Sequence, residues 1–310
     1  MRILVTGGAG YLGSILTGVL LENGNQVTVL DSFMWGQNSL AHLCHDPRLT
    51  IVRGDARNHN LVKQLVVCAD AVIPLAALVG APLCDSDPIA AKTTNLDAVE
   101  MLCRTLGPSQ LLVIPISNSG YGVGEPGKEC TEETPMRPIS LYGKLKVEAE
   151  QIALQREHVV SLRLATVFGM SPRMRLDLLV NDFVYRAVTD RAVVLFEADF
   201  KRNYIHVRDV ARAFIYAINH FERMKNQAYN VGLSDANLSK RELCERIAAH
   251  VSGFTHVCSE VGQDPDKRDY IVSNAKIEAA GWRPIYSLDD GIRELIKGYA
   301  MIRNSRYGNV

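Results

Sequence analysis

The sequence predicts an α/β fold in which a doubly wound parallel sheet is joined to a smaller, discontinuous C-terminal domain. Two observations predict the sheet. Over the first half of the chain, short β-branched runs alternate with segments of helical period. A glycine-rich loop, residues 7–13, also follows the first predicted strand and opens the first predicted helix. After residue 169 the alternation stops, which predicts the second domain.

The predicted elements follow the apolar pattern along the chain. Strands are expected at 2–6, 26–30, 50–52, 71–74, 111–116 and 159–163, and helices at 12–22, 61–67, 93–106 and 141–155. A strand at 204–207, a helix at 210–219 and a strand at 228–232 are expected to return to the sheet layer. We therefore predict one domain from 1–169 and 203–231, and a second from 170–202 and 232–310.

Composition excludes several classes of function. The 310 residues carry 34 Lys plus Arg and 34 Asp plus Glu, so no net positive field would gather nucleic acid or an anionic membrane. The apolar stretch 3–7 is far too short for a signal or a membrane span, and we expect a cytoplasmic protein. The seven cysteines form no C-x-x-C pair and are expected as free thiols. His42, Cys44 and His45 have no second cluster to complete four ligands, so no metal is expected.

The loop 7–13 has the context that a phosphate-binding loop requires. Gly7 permits the tight turn, Gly10 lets backbone N–H groups approach a pyrophosphate, and Gly13 lets the helix pack closely on the strand. Tyr11 and Leu12 open the helix, whose N-terminus supplies positive potential. The loop predicts a dinucleotide cofactor, although G-x-x-G-x-x-G spacing alone is a weak signal.

Asp31 indicates which dinucleotide is bound. It ends the second strand, where a carboxylate accepts hydrogen bonds from the adenosine ribose and repels a 2′-phosphate. Residues 32–34 offer no arginine to bind that phosphate, so NAD is favoured over NADP. Asp55, followed by Ala56, closes the third strand and is a candidate for the adenine amino group.

Tyr142 and Lys146 are the candidate catalytic pair. They lie four residues apart at the start of a predicted helix and so share one face. A tyrosine is a poor base at neutral pH. We expect the neighbouring ammonium and a positive nicotinamide ring to lower its pKa into a useful range.

With these motifs in order, the chain resembles the extended short-chain dehydrogenase/reductase family that acts on nucleotide sugars. The resemblance covers almost the whole chain and implies a Rossmann fold that binds NAD. The motifs that carry it are the loop 7–13, Leu75-Ala76-Ala77, Asn95, Ser117–Gly122, Tyr142/Lys146, 163–169, 202–209 and 281–284.

The resemblance also implies roles for single residues. Ser117 matches the residue that hydrogen-bonds the reacting hydroxyl, Tyr142 the acid/base, and Lys146 the anchor of the nicotinamide ribose. Asn95 matches a residue that supports the active site. Leu75, Ala76, Ala77 and Asn95 are expected to contact the cofactor.

Arg202 matches an arginine that clamps the sugar-nucleotide diphosphate, and a guanidinium fork suits a phosphate. Asn181 is a candidate partner on the same diphosphate. The remaining residues expected around the substrate are Val79, Ser117, Asn118, Ser119, Arg173 and Arg268.

Family membership leaves the reaction on the sugar open. Dehydratases place an Asp-Glu pair after the active Ser or Thr, whereas this chain has Asn118 and Ser119, neither of which titrates usefully. Dehydration is therefore disfavoured, while net oxidation at C4 and 4-epimerisation both remain. The stretches 75–84, 163–183 and 264–270 resemble bacterial capsule-pathway enzymes that oxidise C4 of GDP-D-glycero-α-D-manno-heptose. If NADH stays bound, a small 2-keto acid would be needed as a second oxidant.

Two further expectations concern function and assembly. A non-catalytic, NAD-dependent sensor is an alternative, because this fold also serves as a regulatory module. An intact Ser117, Tyr142 and Lys146 set argues against that alternative. The resemblance implies a homodimer that packs through the segments 93–106 and 141–155.

Overall fold

The computed structural model of the chain describes residues 1–36, 38–259 and 268–302. Its strands are β1 (Arg2–Thr6), β2 (Gln26–Asp31), β3 (Leu49–Arg53), β4 (Ala71–Pro74), β5 (Leu111–Ser117), β6 (Glu129–Cys130), β7 (Val159–Leu164), β8 (Thr166–Phe168), β9 (Ala192–Leu195), β10 (Lys201–His206), β11 (Gln227–Val231), β12 (Asn237–Ser239), β13 (Thr255–Cys258) and β14 (Ile271–Val272). Its helices are α1 (Tyr11–Glu22), α2 (His59–Val66), α3 (Ala81–Ser86), α4 (Pro88–Lys92), α5 (Ala98–Thr105), α6 (Leu141–Ala153), α7 (Leu179–Thr189), α8 (Val207–Asn219), α9 (Phe221–Met224), α10 (Lys240–Ala248), α11 (Ala275–Ala279) and α12 (Leu288–Tyr299). Short 3₁₀ turns span Ala41–Leu43 and Asn118–Tyr121, and a π turn spans Thr93–Asp97.

Seven parallel strands form the large sheet, which confirms the predicted α/β class. Their order is β11-β7-β5-β4-β1-β2-β3. The strands β2 and β3 lie on one side of β1, and β4 lies next to β1 on its other side, so the strand order reverses between β1 and β4. In such sheets, ligands bind at the carboxyl ends of the strands beside this reversal. The ends of β1, β2, β4 and β5 are therefore where a functional site is expected.

Both faces of the large sheet are buried. In β1, Ile3 and Val5 pack in the apolar cluster that includes α1 and α8, whereas Leu4 packs in the cluster that includes α2, α5 and α6. Alternate residues of a strand point to opposite faces, so covering both faces requires a continuous apolar run. Each fully buried leucine or isoleucine of this kind contributes about 1.5–3 kcal/mol to stability.

One predicted strand lies outside the large sheet. We expected 204–207 to return to the sheet layer, but β10 pairs with β8 and β12 in a separate three-stranded sheet. The free edge of β7 accepts one strand, and β11 occupies it in parallel register. The prediction for 204–207 was wrong because it did not consider that only one segment can pair with the edge of β7. The predicted strand at 228–232 takes that position as β11.

A predicted helix is also divided. The segment 93–106 begins as the π turn Thr93–Asp97 and continues as the α-helix Ala98–Thr105. Single π turns inside helices often occur at functional sites. Here the turn carries Asn95, one of the residues expected near the cofactor.

The segment after β8 is fastened to the first helix. The Tyr11 hydroxyl donates to the Gly169 carbonyl at 2.6 Å, and the Ser171 hydroxyl donates to the Tyr11 carbonyl at 2.7 Å. The Tyr299 hydroxyl, at the end of α12, donates to the carbonyl of Asn181 on α7 at 2.7 Å. These contacts hold the second region against the nucleotide loop, and the exact division into two domains stays a prediction.

Two general features complete the fold. All seven cysteines are free thiols, of which Cys44, Cys68 and Cys258 are exposed. Across the described ranges, every helix is too short or too polar to cross a bilayer.

Candidate active site

The glycine loop makes a tight turn between β1 and α1. Gly7 has a φ of +74°, a conformation that side chains rarely adopt. A Cβ atom at Gly7 would lie 2.5 Å from the backbone nitrogen of Ala76, and one at Gly13 would lie 2.3 Å from the Gly7 carbonyl oxygen. The turn and the close helix packing predicted for Gly7 and Gly13 are thus both present.

Asp31 lies beside this loop at the carboxyl end of β2. Its carboxylate accepts hydrogen bonds from the backbone N–H of Ala9 at 2.9 Å and of Phe33 at 2.8 Å. The two bonds fix the orientation of a partly exposed carboxylate next to the loop. This is the position from which a carboxylate can accept hydrogen bonds from the adenosine ribose.

Asp55 and Ala56 follow β3, away from the lining of the cavity described below. The Asp55 carboxylate pairs with the Arg57 guanidinium at 2.6 Å, and that hydrogen-bonded partner lowers the pKa of the carboxyl group. Arg57 also donates to the Thr93 hydroxyl at 3.2 Å. Contact of Asp55 with adenine stays a prediction.

A cavity of about 480 Å³ opens at the carboxyl ends of the central strands. It lies at the reversal of strand order, the expected location. The predicted residues that line it are Gly7, Gly10, Tyr11, Leu12, Gly13, Leu75, Ala77, Val79, Ser117, Tyr142, Lys146, Arg173, Arg202 and Arg268. The predicted residues outside its lining are Asp31, Asp55, Ala56, Ala76, Asn95, Asn118, Ser119 and Asn181.

Ser117, Tyr142 and Lys146 lie together on the wall of this cavity. Ser117 ends β5, and the other two side chains project from the first turns of α6. The helix begins here because the Ser140 side chain accepts a hydrogen bond from the Gly143 N–H at 3.1 Å, which caps its N-terminus. Spacing within the helix and the end of a neighbouring strand therefore bring the three groups together.

The pKa of Tyr142 in the protein alone is set mainly by burial. Burial raises it to about 12, opposed by the positive charges of Arg175 and Arg268 and by a hydrogen bond with Ser117. We expected the Lys146 ammonium to lower this pKa. In the protein alone, burial outweighs every neighbouring charge, because removal from water disfavours the phenolate.

Lys146 is a buried ammonium group, only 4% exposed. Burial lowers its pKa to about 8, while the negative charge of Glu150, one helical turn further on, raises it. Among the described residues, no group lies within hydrogen-bonding distance of its Nζ atom. A buried cation that faces a cavity without such a partner suits an anchor for ligand hydroxyl groups.

Asn95 acts on the cavity wall through the backbone of Leu78. Its amide accepts a hydrogen bond from the Leu78 N–H and donates one to the Leu78 carbonyl, both at 2.8 Å. Leu78 precedes Val79, which lines the cavity. Asn95 is buried and supports the cavity wall in this arrangement, and its contact with the cofactor stays a prediction.

Asn118 and Ser119 were expected to contact the substrate, but both are 1% exposed. The Ser119 hydroxyl donates to the Ser117 hydroxyl at 2.7 Å. Neither Oδ1 nor Nδ2 of Asn118 has a hydrogen-bond partner among the described residues. Substrate contact by either residue stays a prediction, and the arrangement found connects Ser119 to Ser117 instead.

Arg173 follows β8 and packs against Trp35, which follows β2. Its guanidinium lies 4.7 Å from the centroid of the Trp35 ring, in cation–π contact, and both residues line the cavity. Burial, and to a lesser extent the positive charge of Arg175, lower the pKa of Arg173 to about 10. Arg175 in turn pairs with Asp177 at 2.5 Å.

Arg202 and Arg268 also line the cavity. Arg202, on β10, donates to the Lys201 carbonyl at 2.9 Å and lies 5.7 Å from the centroid of the Tyr270 ring. Arg268 is the first described residue after 259, and residues 264–267 of the predicted substrate stretch lie outside the described residues. Two guanidinium groups in one buried cavity of a neutral protein provide the local charge that a diphosphate requires.

Asn181 is fully buried on α7. Its amide donates to the Tyr11 hydroxyl at 3.2 Å and to the Arg175 carbonyl at 2.9 Å, and accepts from the Gly169 N–H at 3.0 Å. In this arrangement the amide joins three segments around the cavity. Its predicted contact with the diphosphate stays a prediction.

Several cavity residues were not identified from the sequence, among them Trp35, Lys240 and Tyr270. An aromatic residue shortly after Asp31 was a signal that could have found Trp35. Lys240 opens α10 and donates to the Phe196 carbonyl at 2.7 Å, and no local pattern marks it. Tyr270 lay inside a stretch used for the resemblance but was not singled out.

The chain is similar to a family model and to individual proteins along most of its length. The family model described as "NAD dependent epimerase/dehydratase family" matches residues 3–232. The chain is 28% identical to the low-salt glycan biosynthesis protein Agl12 of Haloferax volcanii, over 96% of this chain and 98% of that protein.

Two solved structures illustrate the range of reactions among similar proteins. The UDP-glucose 4-epimerase of Thermus thermophilus, in complex with NAD, is 26% identical with a TM-score of 0.83, covering 98% of this chain and all of that one. A dTDP-glucose 4,6-dehydratase of Streptomyces venezuelae, solved with NAD bound, is 25% identical with a TM-score of 0.82 and 98% coverage of both chains.

Proposed function

This chain belongs to the NAD dependent epimerase/dehydratase family, and on that premise we propose that it oxidises C4 of a nucleotide-diphosphate sugar to the 4-keto sugar. The observation that carries the proposal is the convergence of Ser117, Tyr142 and Lys146 on one cavity wall that the glycine loop also lines. A sensor without catalysis would not require this complete set of side chains.

The cofactor is NAD, and the residues present fit it. A Cβ atom at Gly7 or Gly13 would collide with backbone atoms, so these two positions require glycine. Without side chains there, a pyrophosphate can approach the N-terminus of α1. Asp31 supplies a carboxylate for the adenosine ribose, and the buried Lys146 ammonium can bind the nicotinamide ribose. When bound, NAD accepts the hydride that leaves C4.

The protein residues handle the proton. Tyr142, as phenolate, removes the proton of the C4 hydroxyl while Ser117 donates a hydrogen bond to the same oxygen. The O4–H bond breaks, a C4=O double bond forms, and the proton resides on the Tyr142 oxygen. The charges of Arg175 and Arg268 favour the phenolate, and a bound cofactor ring would add to them.

The substrate we propose is GDP-D-glycero-α-D-manno-heptose, destined for a surface or capsular polysaccharide. Arg202, Arg268 and Arg173, which all line the cavity, would bind the diphosphate and the sugar. The support for this particular sugar is the sequence resemblance in the stretches 75–84 and 163–183. If NADH stays bound after oxidation, a small 2-keto acid would reoxidise it and leave as the 2-hydroxy acid.

Epimerisation at C4 is the second candidate. The similarity to a UDP-glucose 4-epimerase over nearly the whole chain favours it, and it uses the same first step. Dehydration is disfavoured, because Asn118 and Ser119 stand where an acid and a base would be needed, and both are buried away from the cavity.

A ligand panel tests the substrate class. Thermal stability is measured with GDP, UDP, dTDP and ADP, and then with nucleotide sugars of the best nucleotide. We expect the largest stabilisation from GDP and GDP-heptose. Stabilisation by UDP without an effect of GDP would overturn the nucleotide assignment, and no stabilisation by any nucleoside diphosphate would overturn the substrate class.

A further inference from the structure

Ser117 is held by a second serine that lies outside the cavity lining. The Ser117 hydroxyl oxygen accepts a hydrogen bond from the Ser119 hydroxyl at 2.7 Å and another from the Ser119 backbone N–H at 3.2 Å. Ser119 is 1% exposed and lies in the turn Asn118–Tyr121. It therefore contacts Ser117 from the protein interior rather than from the cavity.

These two bonds determine what Ser117 can do with its own hydrogen. A hydroxyl group has one hydrogen to donate and two lone pairs to accept with. Ser119 fills both acceptor positions, so the Ser117 hydrogen remains for a partner in the cavity. Tyr142 lines the same cavity as Ser117, and Ser117 acts to lower the pKa of the Tyr142 phenol.

The turn that carries Ser119 is fixed against the catalytic helix. A Cβ atom at Gly143, on the first turn of α6, would lie 3.2 Å from the Ser119 carbonyl oxygen. Next to Ser119, the Gly120 carbonyl accepts a hydrogen bond from the Arg137 N–H at 2.9 Å. The backbone of this turn therefore packs closely against the first turn of α6, which carries Tyr142.

We propose that Ser119 is a positioning residue that commits Ser117 to donating its hydrogen bond into the cavity, to the Tyr142 oxygen before the sugar binds and to the reacting oxygen afterwards. The proposal rests on the proposed function of Ser117 and Tyr142. A donating Ser117 stabilises negative charge on O4 and on the phenolate, which the oxidation requires. An accepting Ser117 would instead stabilise the neutral phenol and oppose proton removal.

The test is the variant Ser119→Ala, with Ser119→Cys as a nearly isosteric second variant whose thiol is a weak donor. In Ser119→Ala one acceptor position of Ser117 becomes available, so Ser117 can accept from the Tyr142 phenol. We expect kcat to fall about tenfold with KM and NAD affinity unchanged, and the rise of kcat/KM with pH to move about one unit higher. Ser119→Cys should give a smaller shift in the same direction.

A second readout does not depend on turnover. The ionisation of Tyr142 is followed by ultraviolet difference spectroscopy of the NAD-bound protein, with Tyr142→Phe identifying its signal. We expect Ser119→Ala to raise the midpoint by about one pH unit. A midpoint that does not move overturns the proposal, even if activity is lost. If no nucleotide sugar is oxidised but the midpoint moves, the proposed function fails while the role of Ser119 stands.

Discussion

Glu150 on α6 and Arg163 on β7 form a buried ion pair. The Glu150 carboxylate accepts hydrogen bonds from Nε of Arg163 at 2.9 and 3.1 Å and from a terminal nitrogen at 2.9 Å. Glu150 lies one turn after Lys146 on α6, and Arg163 lies on β7. The pair therefore ties the catalytic helix to the sheet and places a negative charge near the Lys146 ammonium.

Removal of this charge should destabilise the protein. Glu150→Gln leaves the Arg163 guanidinium buried without a counter-charge, which costs about 3–5 kcal/mol. Urea unfolding should show a clearly lower midpoint. Glu125→Gln, in the exposed pair with Lys128, is the matched control and should leave the midpoint unchanged. Equal midpoints for the two variants would contradict the structural role of the buried pair.

The same variant should change the pH dependence. Glu150 raises the pKa of Lys146, which burial holds at about 8. The ammonium is present below that pKa, so activity that needs it falls as the pH rises through it. Glu150→Gln lowers the pKa and should move this fall to lower pH. If activity falls over the same pH range with and without the substitution, Lys146 is not the group that titrates there.

Tyr142→Phe tests the acid/base assignment. Because the phenol transfers a proton rather than holding the substrate, we expect turnover to fall about 10²- to 10⁴-fold with nucleotide-sugar affinity nearly unchanged. Calorimetric titration and steady-state kinetics measure the two quantities. Retained turnover would remove Tyr142 from the mechanism.

Arg202→Ala tests the diphosphate site. Loss of a charge-assisted hydrogen bond should raise KM for the nucleotide sugar by about 10- to 100-fold and leave NAD affinity intact. Lys201→Ala, at the adjacent exposed position, should leave KM unchanged. If KM is the same in both variants, the diphosphate binds elsewhere.

Asp31→Asn tests the choice of dinucleotide. The amide keeps the shape of the side chain but removes the charge that repels a 2′-phosphate, so the preference for NAD over NADP should fall at least about tenfold. Fluorescence titration with NADH and NADPH measures it. Glu22→Gln, at the far end of α1, is the control, and a preference that falls equally in both variants would exclude Asp31 as its source.

Local patterns predicted much of the site. The loop 7–13, Asp31 and the Tyr142/Lys146 spacing depend on neighbours along the chain, and the comparisons support the α/β fold and NAD. The spacing of these residues along the chain determines which of them lie at the end of one strand or on one face of a helix.

Contacts between distant segments could not be predicted in this way. The Asn181 amide bonds Tyr11 across 170 positions, and Arg173 packs on Trp35 from another segment. The sequence also contained no measure of burial, which raises the pKa of Tyr142 in the protein without cofactor. The placement of β10 failed for a similar reason, because strand competition at the edge of β7 depends on the whole sheet.

The central claim is net oxidation at C4, and product accounting tests it most directly. The purified protein is incubated with the nucleotide sugar that stabilises it most, and the product is identified by NMR while NADH is followed by its near-ultraviolet absorbance. We predict a 4-keto sugar formed with one NADH per product, with more product formed when a small 2-keto acid is added. Accumulation of the C4 epimer with no net NADH would contradict the account and establish epimerisation instead.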